Sequence, residues 1–227
     1  MKKNSILEEI THHFPFTVIS VCFALCVMAF LSVILDSHEM EAGTHDHNSP
    51  FANLFHVFHP IHLLLSATAT TAMFLRFEKK IIKAVLVGLT GSLGVCGISD
   101  IVMPYFGGSI LDIHMHFHFC LIEEPGLVIP FAAAGVLVGL ATSKVITGRG
   151  ATLFSHSGHV VVSTTATLLY LISYGFGNWM TSLFSTFVVV IFAVILPCCL
   201  SDIFFPLLMA AKARERHDHE GGSHCNH

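Results

Sequence analysis

Charged side chains are scarce in this sequence, since Asp, Glu, Lys and Arg together make up 11% of its 227 residues. An ordinary water-soluble domain has about 25% charged residues, and the mean hydropathy here is +0.73. The chain also lacks a basic excess, because its formal net charge is −4, so a nucleic-acid partner is not expected. These deficits favour an integral membrane protein whose main partner is the lipid bilayer.

Cysteine pairs with C-x-x-C spacing are missing as well. Five of the seven cysteines lie in apolar runs, where they are expected to be small buried side chains and not members of a disulfide framework; they are Cys22, Cys26, Cys96, Cys198 and Cys199. Histidine, in contrast, is abundant, with 17 His against 11 Lys and Arg. Because imidazole is the commonest metal ligand in proteins, the sequence points towards metal chemistry.

Six apolar stretches are long enough to be considered as membrane-spanning helices. They cover residues 14–35, 59–77, 81–106, 119–143, 159–174 and 179–211. Evenly apolar segments of this length are typical of helices and not of barrel strands. The predicted fold is therefore an all-α polytopic membrane protein with six transmembrane helices.

Lys and Arg occupy only alternate connections between these spans. They precede span 1, lie between spans 2 and 3 and between spans 4 and 5, and follow span 6, whereas the other three connections contain none. The positive-inside rule then predicts that the N and C termini are both cytoplasmic. The compact size favours a bacterial inner membrane.

Two motifs recur in the same order in the two halves of the chain. His59-Pro-Ile-His62 with Ser66 is echoed by His156-Ser-Gly-His159 with Ser163, and Ser99-Asp100-Ile101 is echoed by Ser201-Asp202-Ile203. Because each repeat unit has three crossings, the second unit must have the opposite orientation in the membrane to the first. Inverted repeats of this kind recur in secondary transporters. Gene duplication also produces symmetric scaffolds that have no transport function. We predict repeat 1 at residues 1–106 (spans 1–3, with a His/acid-rich outer loop at 36–58), repeat 2 at 107–211 (spans 4–6) and a His-rich cytoplasmic tail at 212–227.

The first copy predicts a metal site near the extracytoplasmic side. His59, His62 and Ser66 share one helix face at i, i+3 and i+7, while Asp100 lies near the same end of span 3. Two glutamates enter span 4 from that side after the alternating His114, His116 and His118. The ligands predicted for this site are His59, His62, Asp100, His118, Glu123 and Glu124.

The inverted copy predicts a second, mirrored site near the cytoplasmic side, with His12, His13, His156, His159 and Asp202. Ionisable groups inside a span are costly unless they are paired, which makes them functional candidates. Taken singly, these residues could also be interfacial anchors or helix caps. As sets of imidazoles and carboxylates they suit Zn²⁺ first, with Fe²⁺, Mn²⁺, Co²⁺ and Ni²⁺ as further options.

These patterns favour a carrier for a divalent transition-metal ion, in which protonation of His and carboxylate groups offers a means of proton coupling. One alternative is an intramembrane zinc-dependent hydrolase that uses a similar inventory of Ser, Asp and His. Another is a membrane protein that binds haem between two His, such as His13 with His159. The sequence leaves the identity of the metal, the direction of transport and the oligomeric state open.

Overall fold

A computed structural model describes the backbone of residues 4–36, 49–143 and 149–199. Within these ranges, side chains are described except at 4–13, 35–36, 77, 149–156, 196 and 198–199. The regular structure of this part is entirely helical, as predicted. The helices are α1 (Asn4–Asp36), α2 (Pro50–Phe77), α3 (Ile81–Gly91), α4 (Met103–Ile110), α5 (Cys120–Glu123), α6 (Pro125–Thr142), α7 (Arg149–Ser173) and α8 (Leu183–Cys199).

Among the described residues, four helical stretches are long and apolar enough to cross a membrane. They are Phe14–Ile34, Pro50–Arg76, Ile81–Ile110 and Pro125–Thr142. Shorter apolar helices at Ser157–Ser173 and Leu183–Ile195 fall where the fifth and sixth spans are predicted. Many large apolar side chains on these helices are exposed, among them Ile19, Phe23 and Phe30 on α1, which suits contact with lipid.

Helix α2 begins well before the predicted start of the second span. Ser49 caps it by accepting a hydrogen bond from the Ala52 N–H, and Pro50 follows at the first helical position, where its missing N–H costs nothing. The outer loop predicted at 36–58 is therefore too long, because residues 50–58 are helical. This earlier start places His56 on the same helix as His59.

The third span is not the uninterrupted α-helix that hydropathy alone predicts. Between α3 and α4 the chain forms two π-helical segments, Ser92–Cys96 and Ile98–Val102. π-Helical turns inside α-helices are rare and occur often at functional sites. The second segment contains Ser99 and Asp100, and both side chains are buried.

Helix α2 is the central element and packs closely against α6. A β-carbon added at Gly139 would lie 2.7 Å from the Thr68 carbonyl oxygen, and one at Gly135 would overlap the Leu64 carbonyl oxygen. The Thr68 hydroxyl also donates to the Gly135 carbonyl at 3.0 Å. Two glycines four residues apart thus allow the close backbone approach typical of membrane helix pairs.

The connection between α2 and α3 is tied by an acidic side chain between two lysines. Lys83 Nζ lies 2.9 Å from Glu78 Oε1, and Lys80 Nζ lies 3.4 Å from the same oxygen. Desolvation acts to raise the pKa of Glu78, but the hydrogen bonds and positive charges of Lys83 and Lys80 outweigh it, so the pKa is lowered. The carboxylate therefore stays ionised at neutral pH and fixes this basic connection.

Candidate metal centre

A buried group of polar side chains joins α2, the second π-helical segment and α7. His59 Nδ1 lies 2.8 Å from Asp100 Oδ2, and His62 Nδ1 lies 2.7 Å from the same oxygen. On the other side of its ring, His62 Nε2 lies 3.1 Å from His159 Nε2. Ser163 Oγ donates to Asp100 Oδ1 at 3.4 Å. We call these five residues the central cluster.

Helical spacing explains how these residues meet. His59 and His62 lie one turn apart on α2, so their rings reach the same neighbour, and His159 and Ser163 lie one turn apart on α7. Asp100 comes from the third span, where the π-helical backbone carries it towards both helices. His62 and Asp100 are completely buried, and only 2% of His59 and His159 is exposed.

The central cluster compensates a charge that would otherwise be costly to bury. An ionised carboxylate without partners is strongly disfavoured away from water, and Asp100 is enclosed by two imidazoles and a hydroxyl. A buried carboxylate of this kind needs a compensating positive charge, which an imidazolium or a bound cation can supply. A second hydroxyl supports the arrangement, since Ser99 Oγ donates to the Ala193 carbonyl at 2.9 Å and lies 3.3 Å from Ser163 Oγ.

The hydrogen bonds to Asp100 also determine what His62 can bind. Because a carboxylate only accepts, His62 Nδ1 carries the hydrogen, and Nε2 of the neutral ring carries a lone pair. This Nε2 faces His159 Nε2. Two imidazoles on one tetrahedral Zn²⁺ have nitrogen atoms about 3.3 Å apart, given Zn–N distances of about 2.0–2.1 Å. The observed 3.1 Å separation is close to that arrangement.

A second group lies one turn further towards the start of α2. His56, His118 and Cys120 each offer one ligand atom, and the three atoms lie within 4.8 Å of one another. His118 Nδ1 lies 2.7 Å from Glu123 Oε2, and the His118 ring stacks on Tyr174 with centroids 4.8 Å apart. We call His56, His118 and Cys120 the His–Cys cluster.

The structure brings some of the predicted site residues together and separates others. His59, His62 and Asp100 meet as expected, whereas the prediction that His159 belongs to a separate, cytoplasmic site is wrong, because α7 carries it into contact with His62. His118 and Glu123 pair with each other beside His56, and Glu124 is exposed at the start of α6. The side chains of His12, His13 and His156 and all of Asp202 lie outside the described residues.

Three residues at these sites were not predicted as ligands or partners. His56 lies three residues before His59, so its place on the same helix face was visible in the spacing. Cys120 is a lone cysteine next to an apolar stretch, and such a cysteine gives no metal signal in the sequence. Ser163 belongs to the repeated motif but is not among the predicted ligands, and its hydroxyl reaches Asp100. His114 and His116 are exposed.

No protein-family model matches the chain, and no curated protein or solved structure is detectably similar to it. We therefore infer the function from the chemistry of the two clusters.

Proposed function

We propose that this protein is a membrane carrier for a divalent transition-metal ion, with Zn²⁺ as the first choice, and that the central cluster binds the transported ion. The observation that carries this proposal is the 3.1 Å contact between His62 Nε2 and His159 Nε2, backed by the shared hydrogen bonds of His59 and His62 to Asp100. In the proposed bound state both Nε2 atoms bind the ion, which replaces the contact between them. Asp100 fixes the His62 ring and neutralises part of the charge.

The relation between the two histidines supports an inverted repeat. His62 and His159 hold equivalent places in the two copies of the repeated motif. If a twofold axis in the membrane plane relates the halves, equivalent residues near that axis face each other. Transporters with inverted repeats place their substrate site at the repeat interface near the bilayer midplane, so we propose one shared site in place of the two sites expected from the sequence.

The buried face of α2 offers polar groups on both sides of the shared site. His56 lies towards one end of the helix, and Ser66 and Thr70, both completely buried, lie towards the other. Polar side chains inside a span often mark the path of an ion. We propose that six crossings surround this path and that rocking of the two halves exposes the site to each side in turn.

The charge of the central cluster suggests how transport could be coupled to protons. With the ion bound, its positive charge balances Asp100. When the ion leaves, an imidazolium at His59 or His62 can take over that role, because a buried carboxylate needs a compensating charge. Ion release would then require proton uptake, which makes metal–proton exchange the favoured form of coupling.

Zinc uptake into proteoliposomes tests the proposal. Wild-type protein should accumulate Zn²⁺ inside vesicles, and His62→Ala should abolish most of the uptake that exceeds the level of empty vesicles. His114→Ala is the matched control, because it removes an exposed imidazole and should leave uptake unchanged. Purified wild-type protein that binds Zn²⁺ but moves none across the vesicle membrane would contradict a carrier and favour an intramembrane hydrolase.

A further inference from the structure

The His–Cys cluster contains a buried nitrogen that has no hydrogen-bond partner among the described residues. This atom is His118 Nε2, on a residue that is only 8% exposed. Its Nδ1 donates to Glu123 Oε2 at 2.7 Å, so Nε2 of the neutral ring carries a lone pair. A buried lone pair without a donor is costly, and a bound cation would satisfy it.

We infer that His56, His118 and Cys120 form a second transition-metal site, distinct from the central cluster. Their ligand atoms lie within 4.8 Å of one another. The nitrogen and sulfur ligands of a tetrahedral Zn²⁺ lie about 3.3–3.6 Å apart, given the usual Zn–N and Zn–S distances. Binding therefore requires the ligand atoms to move closer together by about 1 Å. This inference goes beyond the proposed function, since it holds whether or not the protein moves an ion across a membrane.

Glu123 acts as a positioning residue for this site. Its Oε2 accepts from His118 Nδ1, and its Oε1 accepts from the Phe119 backbone N–H at 3.0 Å. Both carboxylate oxygens are thus engaged, which fixes the carboxylate and the tautomer of His118. A carboxylate behind a metal-binding histidine is a recurring feature of metal sites, because it orients the ring and raises its basicity.

Two tyrosines of the α7 region hold His118 in place. The His118 backbone N–H donates to the Tyr170 hydroxyl at 3.2 Å, and the imidazole stacks on the Tyr174 ring with an interplanar angle of 8°. The Tyr174 hydroxyl lies 3.5 Å from His56 Nε2. The ligands are therefore preorganised on three parts of the chain, α2, the segment before α5, and α5.

The ligand set indicates the class of metal. Two imidazoles and one thiolate suit Zn²⁺ and related thiophilic ions, whereas Mg²⁺ and Ca²⁺ prefer oxygen ligands. Three protein ligands leave one tetrahedral position for water or another exchangeable ligand, which is typical of sites that are not purely structural.

X-ray absorption spectroscopy of the zinc-loaded full chain tests this site. Wild-type protein should show sulfur at about 2.3 Å from zinc, and Cys120→Ser should lose that signal. Cys96→Ser is the control, because Cys96 and Cys120 are about equally buried, with 2% and 1% exposed, and the Cys96 thiol contacts His62 of the central cluster. It should retain the sulfur signal if the sulfur belongs to Cys120. His62→Ala should retain it too, which separates this site from the central cluster. Sulfur that persists in Cys120→Ser, or that is missing from the wild-type protein, would overturn the inference.

Glu123→Gln provides a second test that does not depend on Cys120→Ser folding. The Glu123 side chain is 48% exposed, so its replacement should be tolerated by the fold. In a His62→Ala background, Glu123→Gln should weaken zinc affinity about 10–100-fold, as loss of such partners typically does, while zinc at saturation still shows the sulfur signal. Unchanged zinc affinity would overturn the inference.

Discussion

At the scale of single residues, Asp100 determines the chemistry of the central cluster. One of its oxygens accepts from both His59 and His62, so it sets which nitrogen of each ring carries hydrogen. The other oxygen accepts from Ser163. Under the proposed function, Asp100 therefore positions ligands and balances charge even if it never touches the metal itself.

Replacement of Asp100 by Asn tests whether the charge and the hydrogen-bond acceptors of Asp100 matter for zinc binding, because it leaves the size of the side chain almost unchanged. Asn is nearly isosteric, but it is neutral and presents an NH₂ group that cannot accept, so zinc affinity should fall about 10–100-fold. Isothermal titration calorimetry on the purified protein measures this. Asp112→Asn is the control, because Asp112 is exposed and its φ of 59° suits Asn. Equal affinities in the Asp100→Asn and wild-type proteins would argue against the site.

Zinc binding should also depend on pH in a defined direction. An imidazole can bind a metal only when the ligating nitrogen is free of hydrogen, so protons compete with the metal for this nitrogen. Zinc affinity should therefore be weaker at acidic pH than at neutral pH. Calorimetry at two pH values checks this, and affinity that is the same at both would contradict binding by histidine.

At the scale of helices, the close contact between α2 and α6 holds the central helix in register. Gly135 and Gly139 face backbone atoms of α2, and backbone cannot rotate away as a long side chain can. The third span also contains glycines at three-residue spacing, at positions 88, 91, 94 and 97. A β-carbon added at Gly88 would overlap the Thr71 hydroxyl, whereas one added at Gly94 would meet no atom of another described element within 4 Å.

Gly135→Ala should destabilise the fold, because the added β-carbon would overlap the Leu64 carbonyl oxygen. Overpacking of this kind typically costs about 1–3 kcal/mol, which should appear as a lower midpoint of thermal unfolding in detergent. Gly126→Ala, on the same helix but with open space around it, should have little effect. If both variants unfold at the wild-type temperature, the α2–α6 contact is looser than described.

The sequence predicted the helical architecture well and the site only in part. Hydropathy located the helices because burial in lipid or protein requires long apolar runs, and the three-residue spacing placed His59 and His62 on one face. Spacing cannot give distances between helices, so the contact of His62 with His159 was not foreseen. The predicted second span starts at residue 59 because Asn53 and His56 interrupt the otherwise apolar segment 50–58. Nothing in the local sequence indicates π-helical turns around Asp100.

At the scale of the whole molecule, the number of crossings is the main structural prediction that still needs testing. Four helical stretches of the described chain are long enough to span a membrane, and six crossings depend on α7 and α8. If both cross, the connection after α7 lies on the opposite side of the membrane from the connection between α2 and α3. The positive-inside rule predicts that the connection between α2 and α3 is cytoplasmic.

Cysteine labelling in intact cells shows whether α7 crosses the membrane. Thr181 lies in the connection after α7, and Lys79 lies in the connection between α2 and α3. Both residues are exposed. With six crossings, Thr181→Cys should react with an impermeant thiol reagent added outside, and Lys79→Cys should react only after lysis. The unsubstituted protein gives the background labelling. Protection of Thr181→Cys in intact cells would mean that α7 does not cross.

The most direct test of the central claim is a double-mutant cycle on zinc uptake into proteoliposomes, using His62→Ala, His159→Ala and the double variant. If the two histidines hold the same transported ion, either single replacement should abolish most of the uptake, and the double variant should be no worse than either one. The same result is not expected of two independent sites. Losses that add up in the double variant, or a wild-type rate in either single variant, would contradict a carrier built around one shared site.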